Sequence, residues 1–166
     1  MYVLRYELAD DIQKGLRPVP LDSVASLNTH DMPPFASFWQ GLDIEERLRL
    51  GLLDGASAQA ERDNLPNVRK VLNSFLQVGG WLQESENGVL AVLKACLACL
   101  AASRAQLVLV NLEDLWLETQ PQNVPSTIAE YPNWQHKMRR TFEEFCQMSQ
   151  VIDILQTVAR LRQPGR

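Results

Sequence analysis

Gln106-Leu-Val-Leu-Val110, the run QLVLV, is almost continuously apolar and stops at Asn111. So short a stretch, β-branched and closed by a polar residue, reads as a strand. With no polar residue at alternate places, it has the pattern of a strand buried on both faces in a parallel sheet. Two more strand candidates lie upstream, Tyr2 to Tyr6 (YVLRY) and Ser23 to Leu27 (SVASL). The long interval before Gln106 reads as helix in three pieces. Asp43 to Leu53 opens on Asp43 as N-cap, with Glu45 and Glu46 in the first turn. Pro66 to Val78 has proline in its first turn and stops at Gly79 and Gly80. Gly88 to Ala102 is apolar around most of its circumference and is expected to be buried. An irregular stretch, Glu113 to Trp134, follows the third strand. A last helix, Thr141 to Leu161, presents Phe142, Phe145, Met148, Ile152, Leu155 and Val158 at helical spacing. Strands alternating with helices predict an α/β fold, with about three parallel strands and several helices in one domain spanning 1–166. A strand as early as Tyr2 suggests a sheet that begins before this chain does.

Composition narrows the function classes. The chain has 166 residues, 46% of them hydrophobic and 22% charged, which suits one globular core. A formal charge of -4 and dispersed basic residues argue against a nucleic-acid partner. No charge-free apolar stretch is long enough to span a bilayer and no leader-like segment opens the chain, so no membrane association and a cytoplasmic location are expected. Three cysteines fit a reducing compartment. Cys96-x-x-Cys99 lies on the apolar helix without a second pair, which favours core packing over zinc or redox chemistry.

The polar residues gather where strands end. In SLNTHDMPPF (26–35) the quartet Asn28, Thr29, His30, Asp31 follows the second strand, and Asn111 to Asp114 follow the third. Ligands of parallel α/β folds lie at the carboxyl ends of strands, so both clusters are expected on one face. The loop beyond adds Trp116, Gln122, Asn123, Thr127, Asn133 and Trp134. Flat rings with neutral amides match a sugar, which has one apolar face and a rim of hydroxyls.

These residues carry a resemblance. LNTHDMPPFASFW (27–39) resembles the region around the third catalytic carboxylate of the 4-α-glucanotransferases (amylomaltases, disproportionating enzymes) of glycoside hydrolase family 77. LEDLWLETQPQNVPSTIAEYPNW (112–134) is similar to that family's segment after the last barrel strand, with its Asn-x-Pro-Gly-Thr turn and Asn-Trp pair. MYVLRYEL resembles the strand after the acid/base glutamate. The resemblance implies the C-terminal part of a (β/α)8 barrel acting on maltooligosaccharides and α-1,4-glucan by a retaining mechanism, with no cofactor. It implies Asp31 as the transition-state stabiliser, His30 as a hydrogen-bond donor to the sugar, and Asn28, Thr29, Asn123 and Trp116 in the substrate cleft. Ser126 stands where the family usually has glycine, at a turn that can need positive φ.

The nucleophilic Asp and acid/base Glu of the family are not matched. Family order places them upstream of Met1, and Glu113 and Asp114 are expected to be structural. This chain alone is therefore expected to be inactive. The alternative is a non-catalytic remnant that binds glucan or a partner, and an incomplete barrel edge predicts self-association. Two other readings compete at His30 and Asp31. One is an Asx-type turn in which Asp31 accepts backbone N–H groups. The other is a metal-binding pair as in HD-domain phosphohydrolases, for which His136 is the only further histidine; no metal site is expected. Trp39 and Trp81 read as core, Trp116 and Trp134 as either core or sugar platform, and Arg139 and Arg140 as a solvated face.

Overall fold

The computed structural model describes residues 1–8 and 16–163. Among them, β1 (Tyr2–Val3), β2 (Val24–Ser26) and β3 (Leu107–Leu109) form a parallel sheet in the order β1-β2-β3. Ala25 faces Tyr2 on one side and Val108 on the other, so both polar clusters leave the same edge of the sheet.

The strands are shorter than the sequence suggests. After Val3 the backbone turns into a 3-10 helix, Leu4–Glu7, and the Arg5 N–H donates to the Leu27 carbonyl at 3.3 Å. β3 is not buried on both faces. Leu107 is 56% and Leu109 48% exposed, whereas Val108 and Val110 pack on the core. Among the described residues β3 is an outer strand covered on one face only, so an all-apolar run still divides into a covered and a bare face.

The helices are α1 (Phe35–Gln40), α2 (Leu42–Arg49), α3 (Gly55–Val78), α4 (Val89–Ala102), α5 (Phe142–Phe145) and α6 (Ser149–Arg162). α4 is buried as expected, through Val92, Leu93, Cys96, Leu97 and Leu100. Cys96 is wholly buried there, and burial pushes its thiol pKa up. Trp39 is core, stacked on Phe35 at 5.8 Å, and Trp81 packs against the same core.

Three expectations are corrected. Gly41, at φ +78°, separates α1 from α2, which puts Asp43 inside the first turn instead of at the cap. α3 starts eleven residues earlier than Pro66, at Gly55. Asp54 supplies its cap by accepting the Ser57 N–H at 2.8 Å, and pairs of Arg47 with Glu61 and Arg62 with Glu45 hold its first half to α2. An interior proline costs roughly 3 kcal/mol, and the burial of Ala58, Val71, Leu72 and Leu76 along α3 opposes that cost. The last helix is broken. Thr141 and Glu144 form a reciprocal capping box for α5, and α6 begins anew after Met148. Its buried residues are Val151 and Ile154, while Phe142, Ile152 and Leu155 are exposed, so the inward face is rotated from the one the spacing suggested. Lys94 pairs with Asp153 across α4 and α6, and the Gln150 amide donates to the Leu115 carbonyl at 2.9 Å.

Among the described residues no helix is long and apolar enough to cross a membrane.

Candidate functional site

The 26–35 segment becomes a turn because Thr29 organises it. The Met32 N–H donates to the Thr29 carbonyl at 3.1 Å and the Asp31 N–H to Thr29 Oγ1 at 3.3 Å. Thr29, not Asp31, satisfies the backbone, so the Asx-type turn is not what forms. The Asp31 carboxylate is left for side chains. Its Oδ1 accepts from Asn123 Nδ2 at 2.6 Å, and its Oδ2 lies 3.3 Å from His30 Nε2. Asp31 and His30 are both more than half exposed.

Asn123 arrives from the loop after β3, which is folded by its own polar side chains. Asn133 Oδ1 accepts the Val124 N–H at 2.8 Å, and Asn133 Nδ2 donates to Thr127 Oγ1 at 2.9 Å. Within the staple, the Thr127 N–H donates to the Val124 carbonyl at 3.3 Å, with Pro125 and Ser126 at the centre of the turn. Ser126 has φ +70°, so this turn does call for the left-handed conformation that favours glycine.

Beneath the pair lies a buried polar layer. Asn28 is 2% exposed; its side-chain oxygen accepts from Asn111, and its side chain also bonds Asp114. Asp114 Oδ1 accepts the Phe35 N–H at 2.6 Å, tying the loop after β3 to the start of α1. Burial raises the Asp114 pKa to about 6 against the opposing bonds from Phe35 and Asn28 and the nearby Arg5 charge. Arg5 donates to the Pro33 carbonyl at 3.0 Å and lies over the Phe38 ring at 3.9 Å. Its burial lowers its own pKa to about 10. Asn28 thus lies in the buried layer and also lines the recess beside His30, and Arg5, which periodicity alone does not mark, holds the 31–34 turn from behind.

The cleft beside Asp31 has a volume of about 580 Å³. Leu42, Leu52, Pro121 and Val124 give it apolar walls, and Asp31, Asn123, Thr119 and Gln120 give it hydrogen-bonding groups. Asp43 lines it too, and burial raises the Asp43 pKa although Arg47 lies 3.5 Å away. Thr29 and His30 face a smaller recess of about 110 Å³ together with Asn111, Glu113, Gln122 and Trp134.

The structure therefore gathers His30, Asp31 and Asn123, with Thr29 and the buried Asn28 at the margin. Trp116 belongs elsewhere. It ends the 3-10 helix Leu112–Trp116, is 9% exposed and stacks on Phe145 at 5.7 Å in the core. The tight turn swings it inward, and the exposed tryptophan of this loop is Trp134, at 60%. Arg139 is more than a solvated charge, since its guanidinium lies 3.2 Å from the buried Glu118 carboxylate.

Comparison with known proteins follows the same lines. Glycoside hydrolase family 77, described as 4-alpha-glucanotransferase, matches residues 1–142. A 4-alpha-glucanotransferase of Haemophilus influenzae is 30% identical over 126 residues, 72% of this chain and 18% of the relative. One from Mycobacterium tuberculosis is 31% identical over 144 residues, 80% of this chain and 19% of the relative. Among solved structures, the amylomaltase from Corynebacterium glutamicum superposes with a TM-score of 0.80 at 22% identity, over 99% of this chain and 25% of that one. The three parallel strands and their helices thus have the fold of part of a TIM-barrel enzyme, and the chain spans about a fifth of the length of the curated relatives it matches.

Proposed function

Since the chain belongs to the 4-alpha-glucanotransferase family, we propose that it carries one part of a retaining glucan-transfer site. Asp31 is the transition-state stabiliser and His30 donates to the same sugar. As positive charge develops on the ring, contacts to its hydroxyls tighten, and groups that gain strength only then accelerate the reaction. Asn123 holds the Asp31 carboxylate, Thr29 shapes its turn, and the 580 Å³ cleft takes maltooligosaccharide. A cytoplasmic location goes with such a substrate.

A retaining enzyme also needs a nucleophile and an acid/base carboxylate about 5 to 5.5 Å apart. Asp114 is engaged in a buried network, Glu113 accepts from Gln122, and Glu45, Glu46 and Glu61 are paired with arginines. No segment of this chain matches the family's nucleophile or acid/base segment, and on that ground the 166-residue chain by itself is read as binding glucan without transferring it.

The observation that carries this reading is the 2.6 Å bond between Asn123 and Asp31, which joins the two family-like segments at one cleft. The test is maltotriose binding by calorimetry, run beside glucose release from maltotriose by the chain and its Asp31→Asn variant. Binding with no glucose from either protein is expected. Release that depends on Asp31 would mean that the chain holds a complete carboxylate set, and a failure to bind maltotriose at all would sink the glucan reading.

A further inference from the structure

Trp134 is the one large aromatic among the described residues that is both mostly exposed and held at positive φ, +60°. A bulky L-residue in that conformation costs about 1 to 2 kcal/mol, so something must hold it there. Two bonds do. The Trp134 N–H donates to the Gln122 carbonyl at 2.7 Å, and the preceding Asn133 is stapled to the 124–127 turn. The indole neither enters the core nor trails in solvent; its ring lies 5.7 Å from that of His30, inclined at 47°. It forms one wall of the 110 Å³ recess, whose polar lining is Asn28, Thr29, His30, Asn111, Gln122 and two carboxylates, Glu113 and the buried Asp114. Within the recess Gln122 Nε2 donates to Glu113 Oε1 at 2.7 Å, which fixes both side chains and leaves the second carboxylate oxygen and the amide oxygen as acceptors.

An apolar plate set at a fixed angle over a rim of hydrogen-bonding groups is suited to one ligand chemistry, a pyranose ring, whose axial C–H face stacks while its hydroxyls reach the rim. We propose that Trp134 is the stacking platform of a separate glucosyl subsite on the His30 side of Asp31. Pro121 lines both this recess and the larger cleft, so the two sit on either side of one wall. A glucan bound there passes across the His30–Asp31 pair instead of ending at it. The subsite rests on the glucan reading above and adds to it a residue that selects for the flat face of the sugar.

The test is titration of the chain with maltotriose and maltoheptaose, followed by calorimetry and by NMR of the indole N–H resonances, in the native protein and in Trp134→Ala and Trp134→Phe. Loss of a stacking surface is expected to weaken binding of the longer sugar about tenfold in the alanine variant, with phenylalanine within about threefold of native. Sugar addition is expected to move the indole resonance that disappears in Trp134→Phe. An alanine variant that binds as tightly as native, or a Trp134 resonance that saturating sugar leaves in place, overturns the subsite while the larger cleft stands. Absence of binding by the native chain overturns both. The indole shift is read on native protein, so it decides the matter even if the alanine variant misfolds.

Discussion

The amide of Asn123 donates to the carboxylate of Asp31 at 2.6 Å, joining residues 92 positions apart in the chain. Asp31 is more than half exposed, so this bond contributes little to folding. Its consequence is orientation, because Asn123 fixes one carboxylate oxygen and leaves the other beside His30 Nε2, at 3.3 Å. Asn123→Leu is expected to leave the thermal midpoint within about 2 °C of native and to weaken maltotriose binding roughly tenfold, the range of a bond to a charged group. Calorimetry beside a thermal scan separates the two effects. A large loss of stability with unchanged affinity would make Asn123 structural.

Asp114 gives a pH prediction. Its carboxyl is raised from 3.8 to about 6, mainly by burial, with Glu113 adding to the rise and Arg5, Phe35 and Asn28 opposing it. Between those values the folded chain keeps a proton that the unfolded chain has lost, so stability falls as pH rises through that window. The contribution is present in full below 3.8 and is gone above 6; it is at most about 3 kcal/mol. Asp43, also raised by burial, acts in the same direction. Asp114→Asn retains an acceptor for the Phe35 N–H and is expected to flatten the dependence between pH 4 and pH 6. Urea melts at several pH values read this out, and an unchanged slope in the variant would assign the effect to other groups.

How much of this was legible follows from the reach of each signal. Asn28 to Asp31 could be placed because a polar cluster after a strand lies at a definite end of a parallel sheet. Asn123 and Ser126 came from the family-like motif, and the left-handed backbone at Ser126 is the physical reason for the glycine usual there. Trp116 and Trp134 share one loop and one composition. Only the 3-10 turn, which is a three-dimensional event, sends the first into the core and leaves the second at the cleft. Arg5 and Asp114 carried no periodic signal, since their partners, Pro33 and Phe35, are fixed by tertiary packing. Pro66 misled for a related reason, because tertiary burial on both sides of it, at Ala58 and at Val71, Leu72 and Leu76, continues α3 through a residue whose local preference is to end it.

The bare face of β3 has its own consequence. Leu107, Leu109 and Leu112 are 56%, 48% and 41% exposed beside a strand edge that is unpaired among the described residues, the arrangement that invites pairing with a second copy. The isolated chain is expected to self-associate with rising concentration in sedimentation experiments. The double change Leu107→Lys with Leu109→Lys should leave it monomeric at the same loading, because charged edges repel. A native chain that stays monomeric at high micromolar concentration would remove the argument.

Ser126 supplies the last prediction. It is the third residue of the Val124–Thr127 turn, behind Pro125 and at φ +70°, the pattern of a type II turn, where a side chain crowds its own backbone. Removing that side chain relieves about 1 to 2 kcal/mol of left-handed strain but gives the unfolded chain more freedom, so Ser126→Gly should gain no more than about 1 kcal/mol. In a chain of this size that is a rise of about 2 to 4 °C in the thermal midpoint. Because the turn leads from Asn123 to the Asn133 staple, the same change should keep the 2.6 Å contact to Asp31 and leave glucan affinity near native. A drop in the midpoint would show that the serine makes an interaction worth more than the strain, and that the family's glycine answers some other demand at this position.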